Sequence, residues 1–200
     1  MKDFLKSDLY QYILNDIEDY DGKIVFCKGK YCGGDNQCAG IFYIDSKDQP
    51  VLKVATKTTL PEEWIGALIH EYCHFIQWRD DCKEWRDFEL KGLAFSEIIQ
   101  TPKKYKKELL VLLNLELDCE KKVVSILGKK NLFLDKKKYV QTANAILYKY
   151  GFLYKEGKWP IINKNRFEKI TELCNTKLFS DPLQYTDLPI KIKDFFKNKS

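Results

Sequence analysis

His70 and His74 lie four residues apart in the pattern H-E-x-x-H, with Glu71 directly after the first of them, and the chain has no other histidine. Residues four apart on a helix share one face, so both imidazoles can approach the same ion. Imidazole nitrogen is a common ligand of Zn²⁺, and a bound Zn²⁺ lowers the pKa of its water to about 7. Glu71 can accept the proton of that water. The pattern therefore predicts zinc-assisted hydrolysis of peptide bonds, with Glu71 as the catalytic base.

The residues around this motif predict the helix that the chemistry requires. Thr59 is suited to cap the helix, Pro61 fits its first turn, and apolar residues recur at helical spacing from Trp64 to Ile76. A helix that is apolar around much of its surface is expected to be buried. Buried imidazoles without a partner are costly, and a metal ion would satisfy them. The alternative is a chance match on an ordinary buried helix.

The third zinc ligand has to come from a carboxylate or a cysteine, because a catalytic zinc has three protein ligands and no third histidine exists. Glu120 is the first choice, since it fills a gap in the apolar stripe of a long predicted helix. Glu116, one turn earlier, is the second, and the glutamate that does not bind would orient a ligand histidine. The alternative is a glutamate that reaches solvent or pairs with Lys121 or Lys122. The stripe comprises Leu110, Leu113, Leu117, Val124 and Leu127, and weaker ligand candidates are Asp80, Asp81, Glu84, Glu97 and Asp118.

Peptide hydrolysis also needs a group that stabilises the negative charge of the transition state. With both histidines assigned to the metal, the candidates are Tyr139, Asn144, Tyr148 and Tyr150 on a later predicted helix. We assign this role to Tyr148. The alternative is that these tyrosines pack in the core, which is common for aromatic residues at helical spacing.

The seven cysteines are an odd number, which favours reduced thiols over a disulfide framework. A structural zinc on Cys27, Cys32 and Cys38 is a lesser alternative, and Cys73, between the two histidines, is expected to pack in the core. The N-terminal residues have charges where a signal peptide needs an apolar segment, and no apolar run approaches the roughly 20 residues of a membrane span. We therefore expect a cytoplasmic protein, located in the host cytoplasm if a virus encodes it.

The order of predicted segments indicates an α+β fold, with a small antiparallel or mixed sheet first and a group of helices after it. We predict one domain over residues 1–200, with a core at about 23–127 and a helical part at about 128–200. The predicted strands are 23–27, 39–45 and 51–55. The predicted helices are 4–20, the motif helix, 92–100, 103–127 ended by Gly128, 136–150 stopped by Gly151, and 166–178. The helical pattern breaks in a polar stretch to Lys91, and the lysine-rich tail from Pro189 is expected to fray.

The motif His70-Glu71-Tyr72-Cys73-His74, followed by a later helix with Glu120, resembles the gluzincins, a group of zinc peptidases. The resemblance covers about residues 23–127, and the size of the chain is similar to small bacterial or phage metallopeptidases, including the IrrE-like group. It implies a minimal gluzincin core, a Zn²⁺ cofactor and a protein or peptide substrate. It also implies that residues 51–55 or 41–44 bind an extended peptide by strand addition.

Two further functions remain alternatives at this point. The net charge of +5 and lysine runs such as 103–107 and 136–138 would allow a regulatory or DNA-associated protease that contacts nucleic acid, although charge runs are more commonly solvated faces. A zinc-binding interaction module without turnover is the other alternative. Glu71 argues against it, because a purely structural site has no use for a base.

Overall fold

A three-stranded sheet near the N-terminus precedes a helical region, so the predicted α+β class is confirmed. The computed structural model describes residues 3–32, 38–57, 61–89, 95–129 and 134–197, without the side chains of residues 61, 62, 95 and 96. The predicted cap at Thr59 lies outside the described residues. The strands are β1 (Lys23–Cys27), β2 (Gly40–Ile44) and β3 (Pro50–Ala55). The helices are α1 (Asp8–Glu18), α2 (Pro61–Arg79), α3 (Lys83–Glu89), α4 (Phe95–Gln100), α5 (Lys106–Lys129), α6 (Lys136–Glu156), α7 (Lys164–Leu173) and α8 (Ile190–Lys197), with 3₁₀ turns at Phe4–Lys6 and Pro182–Thr186.

β3 is the central strand of the sheet, in the order β1-β3-β2. It pairs in parallel with β1, where Lys23 lies opposite Val51, and antiparallel with β2, where Gly40 lies opposite Val54. Five of the six residues of β3 are buried. Its apolar run is therefore that of a central strand covered on both faces, whereas β1 and β2 are the edges of the sheet as described.

The chain divides into two compact units, of which the first contains residues 1–80 and 125–134. In this first unit α2 packs on β2 and β3, and α1 packs on β1. Asp16 of α1 joins the two helices, because its Oδ2 accepts hydrogen bonds from the Tyr72 hydroxyl and from Nη1 of Arg79, both at 2.5 Å. These contacts hold α2, and with it the H-E-x-x-H motif, in a fixed place over the sheet.

The second unit contains residues 81–124 and 135–200. Its core forms around α6, which contacts α7 and the 3₁₀ turn at Pro182–Thr186. Tyr185 of that turn is fully buried, and its hydroxyl donates to Oδ1 of Asn144 at 2.5 Å and accepts from the Phe179 amide at 3.1 Å. The buried residues around them include Leu112, Leu113, Leu117, Leu147, Phe152, Ile170, Ile192 and Phe196.

The predicted end of one helix is wrong, and two helices were not predicted. α6 does not stop at Gly151 but continues to Glu156, and Gly157 is its C-cap, with a left-handed φ of 65°. Gly151 lacks a side chain for a different reason, since a Cβ there would lie 2.0 Å from the carbonyl oxygen of Tyr185. The polar stretch after α2 contains α3, and the lysine-rich tail contains α8.

Other boundaries differ by smaller amounts. α5 runs through Gly128 to Lys129, and α7 ends at Leu173, five residues before the predicted end. Among the described residues, no helix is both long enough and apolar enough to span a bilayer. The predicted core at about 23–127 coincides with neither unit, because residues 81–124 belong to the second.

Candidate metal centre

The two histidines of the motif bring their ring nitrogens together on α2. Nε2 of His70 and Nε2 of His74 are 3.1 Å apart, and the two rings are nearly perpendicular, at 86°. This is the result of helical geometry, because residues i and i+4 are stacked one turn apart on the same face. The two imidazoles therefore lie on one face of α2, as the spacing predicts, and their role as metal ligands stays a prediction.

Gln77, one turn after His74, fixes the orientation of that ring. Its Oε1 lies 2.7 Å from Nδ1 of His74, and its side chain is fully buried. An amide oxygen only accepts hydrogen bonds, so this contact assigns the proton of the neutral imidazole to Nδ1. Nε2 of His74 is then left with its lone pair directed towards His70.

His74 is held in its neutral form. Burial, and next the nearby charge of His70, lower its pKa to about 3, although the hydrogen bond to Gln77 acts in the opposite direction. A zinc ligand has to be a neutral imidazole, because the protonated ring has no free lone pair. The environment of His74 therefore favours the protonation state that metal binding requires.

The pair fits a zinc ion. Two ligand atoms of a tetrahedral zinc site are about 3.3 Å apart when the Zn–N bonds are about 2.05 Å long. The observed separation of 3.1 Å between the Nε2 atoms is close to this value. His70 and His74 would hold such an ion without a change of the helix.

Glu71 is buried on the same helix, with an exposed fraction of 7%. It lies against β2 at Gly40, since a Cβ built on this glycine would meet Oε1 of Glu71 at 2.6 Å and Cγ at 2.7 Å. A carboxylate in such a place is costly unless it has polar partners or acts on a cation. Neither Gly40 nor Gln77 was predicted to belong to the site from the sequence. Gln77 follows His74 by three residues and so could have been found from helical spacing.

Cys27, Cys32 and Cys38 do not form a compact metal-binding set in the described structure. Cys32 donates to the carbonyl of Ala39 at 3.6 Å, and its backbone amide donates to the carbonyl of Cys38 at 2.9 Å. Burial, with smaller effects from Cys27, Cys38 and Glu71, raises the pKa of Cys32 to about 12. Within the described part of the chain, the three thiols are not a set whose ligand atoms all lie within 4.8 Å of one another. Cys73 is fully buried, as predicted.

Glu120 and Glu116, the two proposed third ligands, lie on α5 in the second unit. Glu120 is buried, with an exposed fraction of 3%, and its Oε2 accepts a hydrogen bond from the Tyr139 hydroxyl at 2.8 Å. Glu116 is partly exposed and accepts from the Tyr150 hydroxyl at 3.4 Å. The prediction that Glu120 occupies the buried face is confirmed. Its role as a ligand stays a prediction.

The lysines beside Glu120 on α5 have partners other than this glutamate. Lys121 donates to the carbonyl of Ser180 at 3.0 Å, and Lys122 pairs with Asp118 at 2.7 Å. The ion pair with Lys122 gives Asp118 a partner other than a metal ion, which is consistent with its place among the weaker ligand candidates. Asp118 also lies within 4.8 Å of Cys82 and Glu84, but the Lys122 ammonium already supplies a cation to this group.

The remaining weaker candidates also have partners. Asp80 accepts from Nε of Arg79 at 2.7 Å, Asp81 pairs with Nη1 of Arg86 at 2.9 Å, and Glu97 accepts from the Tyr105 hydroxyl at 2.6 Å. Each of these contacts lies at or near the surface and needs no metal ion to explain it.

The four candidates for the transition-state donor lie on α6. Asn144 has a structural role, because its Nδ2 donates to the carbonyls of Asn175 and Lys177 at 2.7 and 3.0 Å. Tyr148 has an exposed fraction of 3% and packs edge-on against Tyr185, with 5.3 Å between the ring centroids. Burial raises the pKa of its hydroxyl to about 12. The catalytic role of Tyr148 stays a prediction.

One of the two strands predicted to accept a peptide is excluded by the sheet. β3, which contains residues 51–55, pairs with a strand on each side and has no free edge for another. β2, which contains residues 41–44, pairs only with β3 in the described sheet. Strand addition is therefore restricted to β2 among the two strands proposed.

Comparisons of the chain with models of known protein families, with curated proteins and with solved structures found no match. The resemblance to gluzincins therefore remains a prediction from the sequence.

Proposed function

We propose that the chain is a zinc-dependent peptidase. The observation that carries the proposal is the pair of Nε2 atoms of His70 and His74, 3.1 Å apart, with a buried glutamate on the same helix. Zn²⁺ bound there would act as a Lewis acid on a peptide carbonyl and would make water acidic near neutral pH. No other pair of histidines is available in the chain for this chemistry.

Each residue of the motif has a separate task in this proposal. His70 and His74 bind the metal, and Gln77 keeps the His74 ring in the required orientation. Glu71 accepts a proton from the attacking water as the new C–O bond forms. It then donates that proton to the amine nitrogen as the C–N bond breaks, so protons are conserved over the cycle.

The third ligand in the proposal is Glu120, which is buried, with Glu116 as the second choice. The glutamate that does not bind the metal would accept a hydrogen bond from a ligand histidine and so orient its ring. Tyr148 is proposed as the donor to the developing oxyanion. The metal, these roles and the gluzincin relationship are proposals that metal analysis and substitution can test one at a time.

The proposed substrate is a protein or peptide bound in an extended form, for which β2 is the proposed docking strand. Backbone groups of an extended peptide would pair with Gly40–Ile44, and the motif helix α2 packs on this same strand. We also propose a cytoplasmic location. All seven cysteines are free thiols in the structure, which suits a reducing compartment.

The proposal is tested with a Glu71→Gln variant of the zinc-loaded protein. Hydrolysis of unfolded casein and of a mixture of fluorogenic peptides is measured beside wild type, and bound zinc is measured in the same samples. We expect zinc to be retained and the rate to fall at least about 100-fold, the magnitude expected for loss of a general base.

Glu63→Gln is the matched control, because Glu63 is an exposed glutamate on the same helix. It should leave both zinc content and rate unchanged. Equal rates for wild type and Glu71→Gln would contradict the peptidase mechanism. A zinc-loaded wild type that cleaves no peptide would favour a metal-binding module instead.

A further inference from the structure

Gly40 occupies a position where a strand gains nothing from glycine. It is the first residue of β2, paired opposite Val54 of β3, and its backbone is not in the left-handed region. Glycine inside a strand is unfavourable because it loses more conformational freedom on folding and provides no side chain for packing. A glycine at such a point commonly marks a place where another group approaches the backbone closely.

That group is Glu71. The three heavy atoms nearest to a Cβ at position 40 all belong to this one side chain, namely Oε1 at 2.6 Å, Cγ at 2.7 Å and Cδ at 3.0 Å. Such separations are shorter than carbon–carbon and carbon–oxygen contacts allow. A rotation of the carboxylate alone would move Oε1 but not Cγ, so the whole Glu71 side chain would have to leave its place.

The direction of this displacement matters for the motif. Glu71 is buried between α2 and β2, and the histidines beside it are held in position by helical geometry and by Gln77. A side chain at position 40 would therefore move Glu71 and leave the His70–His74 pair in place. Base and metal ligands would no longer have their original relative positions.

We propose that Gly40 is a positioning residue for Glu71: the absence of a side chain at this point of β2 creates the space in which the Glu71 side chain is held against the strand, and so fixes its place relative to the His70–His74 pair on the same helix. The contact itself is independent of any enzymatic activity. Its consequence for catalysis rests on the proposed function above.

A double-mutant cycle on the metal-free protein tests the contact. Thermal unfolding is measured with EDTA for wild type, Gly40→Ala, Glu71→Ala and the double variant. Overpacking of this kind should lower the Tm of Gly40→Ala by about 4–8 °C. In the Glu71→Ala background the same change should lower Tm by less than about 2 °C, because the side chain that it displaces is absent.

Two further variants make the cycle specific. Gly40→Ala combined with Glu71→Gln should show no rescue, since glutamine has the same length as glutamate. Gly22→Ala is the matched control, because a Cβ there would be equally crowded, at 2.7 Å from Pro50 and 2.8 Å from Ile17. Its effect on Tm should be the same with and without Glu71. Equal Tm losses for Gly40→Ala in both backgrounds would overturn the proposal.

The catalytic consequence is measured on the zinc-loaded full chain with the peptide substrates above. Gly40→Ala should keep its zinc, lose at least about tenfold in kcat and change KM less than threefold. Gly22→Ala should keep kcat when assayed well below its Tm. Full kcat in Gly40→Ala, with an active wild type, would overturn the positioning role. If the wild type itself is inactive, the proposed function fails, and the stability cycle still decides whether Gly40 positions Glu71.

Discussion

Replacing Gln77 by leucine is predicted to weaken zinc binding without removing a ligand. Oε1 of Gln77 lies 2.7 Å from Nδ1 of His74 and fixes the tautomer of this ring. Leucine has nearly the same volume but cannot accept a hydrogen bond. Gln77 is fully buried, so bulk water does not replace the lost acceptor.

The size of the effect follows from the role of such partners. Removing the group that orients a metal-bound imidazole typically costs 10- to 100-fold in metal affinity, or about 1.4–2.7 kcal/mol. For Gln77→Leu we therefore expect a zinc dissociation constant 10 to 100 times that of wild type. Gln77→Glu should bind at least as tightly as wild type, because a carboxylate is the stronger acceptor.

The assay is a competition titration against a chromophoric zinc chelator at fixed pH and ionic strength. Tyr72→Phe is the control, because it removes another hydrogen bond of α2, the partly buried 2.5 Å bond to Asp16, and Tyr72 is not a proposed ligand. It should lower stability and leave zinc affinity unchanged. A Gln77→Leu dissociation constant within threefold of wild type would refute the reasoning.

Three further predictions concern stability. Gly151→Ala should abolish folding or lower Tm by more than about 10 °C in thermal unfolding, because its Cβ would lie 2.0 Å from the Tyr185 carbonyl oxygen, a backbone atom. Tyr185→Phe should cost about 2–3 kcal/mol in urea unfolding and leave zinc affinity unchanged, because buried Asn144 and the Phe179 amide both lose a partner. Metal-free protein should lose stability as pH falls below about 6.5, because burial lowers the pKa of folded His74 to about 3 and only the unfolded chain takes up the proton there. Urea unfolding at pH 7 and pH 5 should therefore show a smaller loss of stability for His74→Gln than for wild type.

The local sequence pattern was sufficient to predict the strands of the sheet and the approach of His70 to His74. β1 was predicted with its observed bounds, since its apolar run begins directly after the turn at Asp21-Gly22. The approach of His70 and His74 needs only that α2 be a helix. Both depend on residues that are close in sequence, for which period and turn chemistry are reliable guides.

The errors come from glycines and from polar helices, where tertiary contacts decide. A glycine at position 151 is typical of a helix end. In the structure its role is instead a close approach to Tyr185, a residue distant from it in the sequence. Gly157 is the residue that ends α6. α3 has no fully buried residue and so lacks the apolar pattern from which a helix is recognised.

The supporting residues of the candidate site show the same division. Gln77 is on the same helix as His74, but its importance depends on complete burial, which its polar side chain does not indicate. Gly40 lies on a different element from Glu71 and far from it in the sequence, and only the packing of α2 on β2 brings the two together. Pair contacts of this kind are not encoded in either segment alone.

The central claim is that this chain binds zinc through His70 and His74, and elemental analysis of the purified protein tests it most directly. Wild type is measured beside His74→Ala, Glu120→Ala and Glu116→Ala. We predict about one zinc per chain in wild type, its loss in His74→Ala, and its loss in Glu120→Ala but not in Glu116→Ala. Wild type without metal that also fails to take up added zinc would contradict the account.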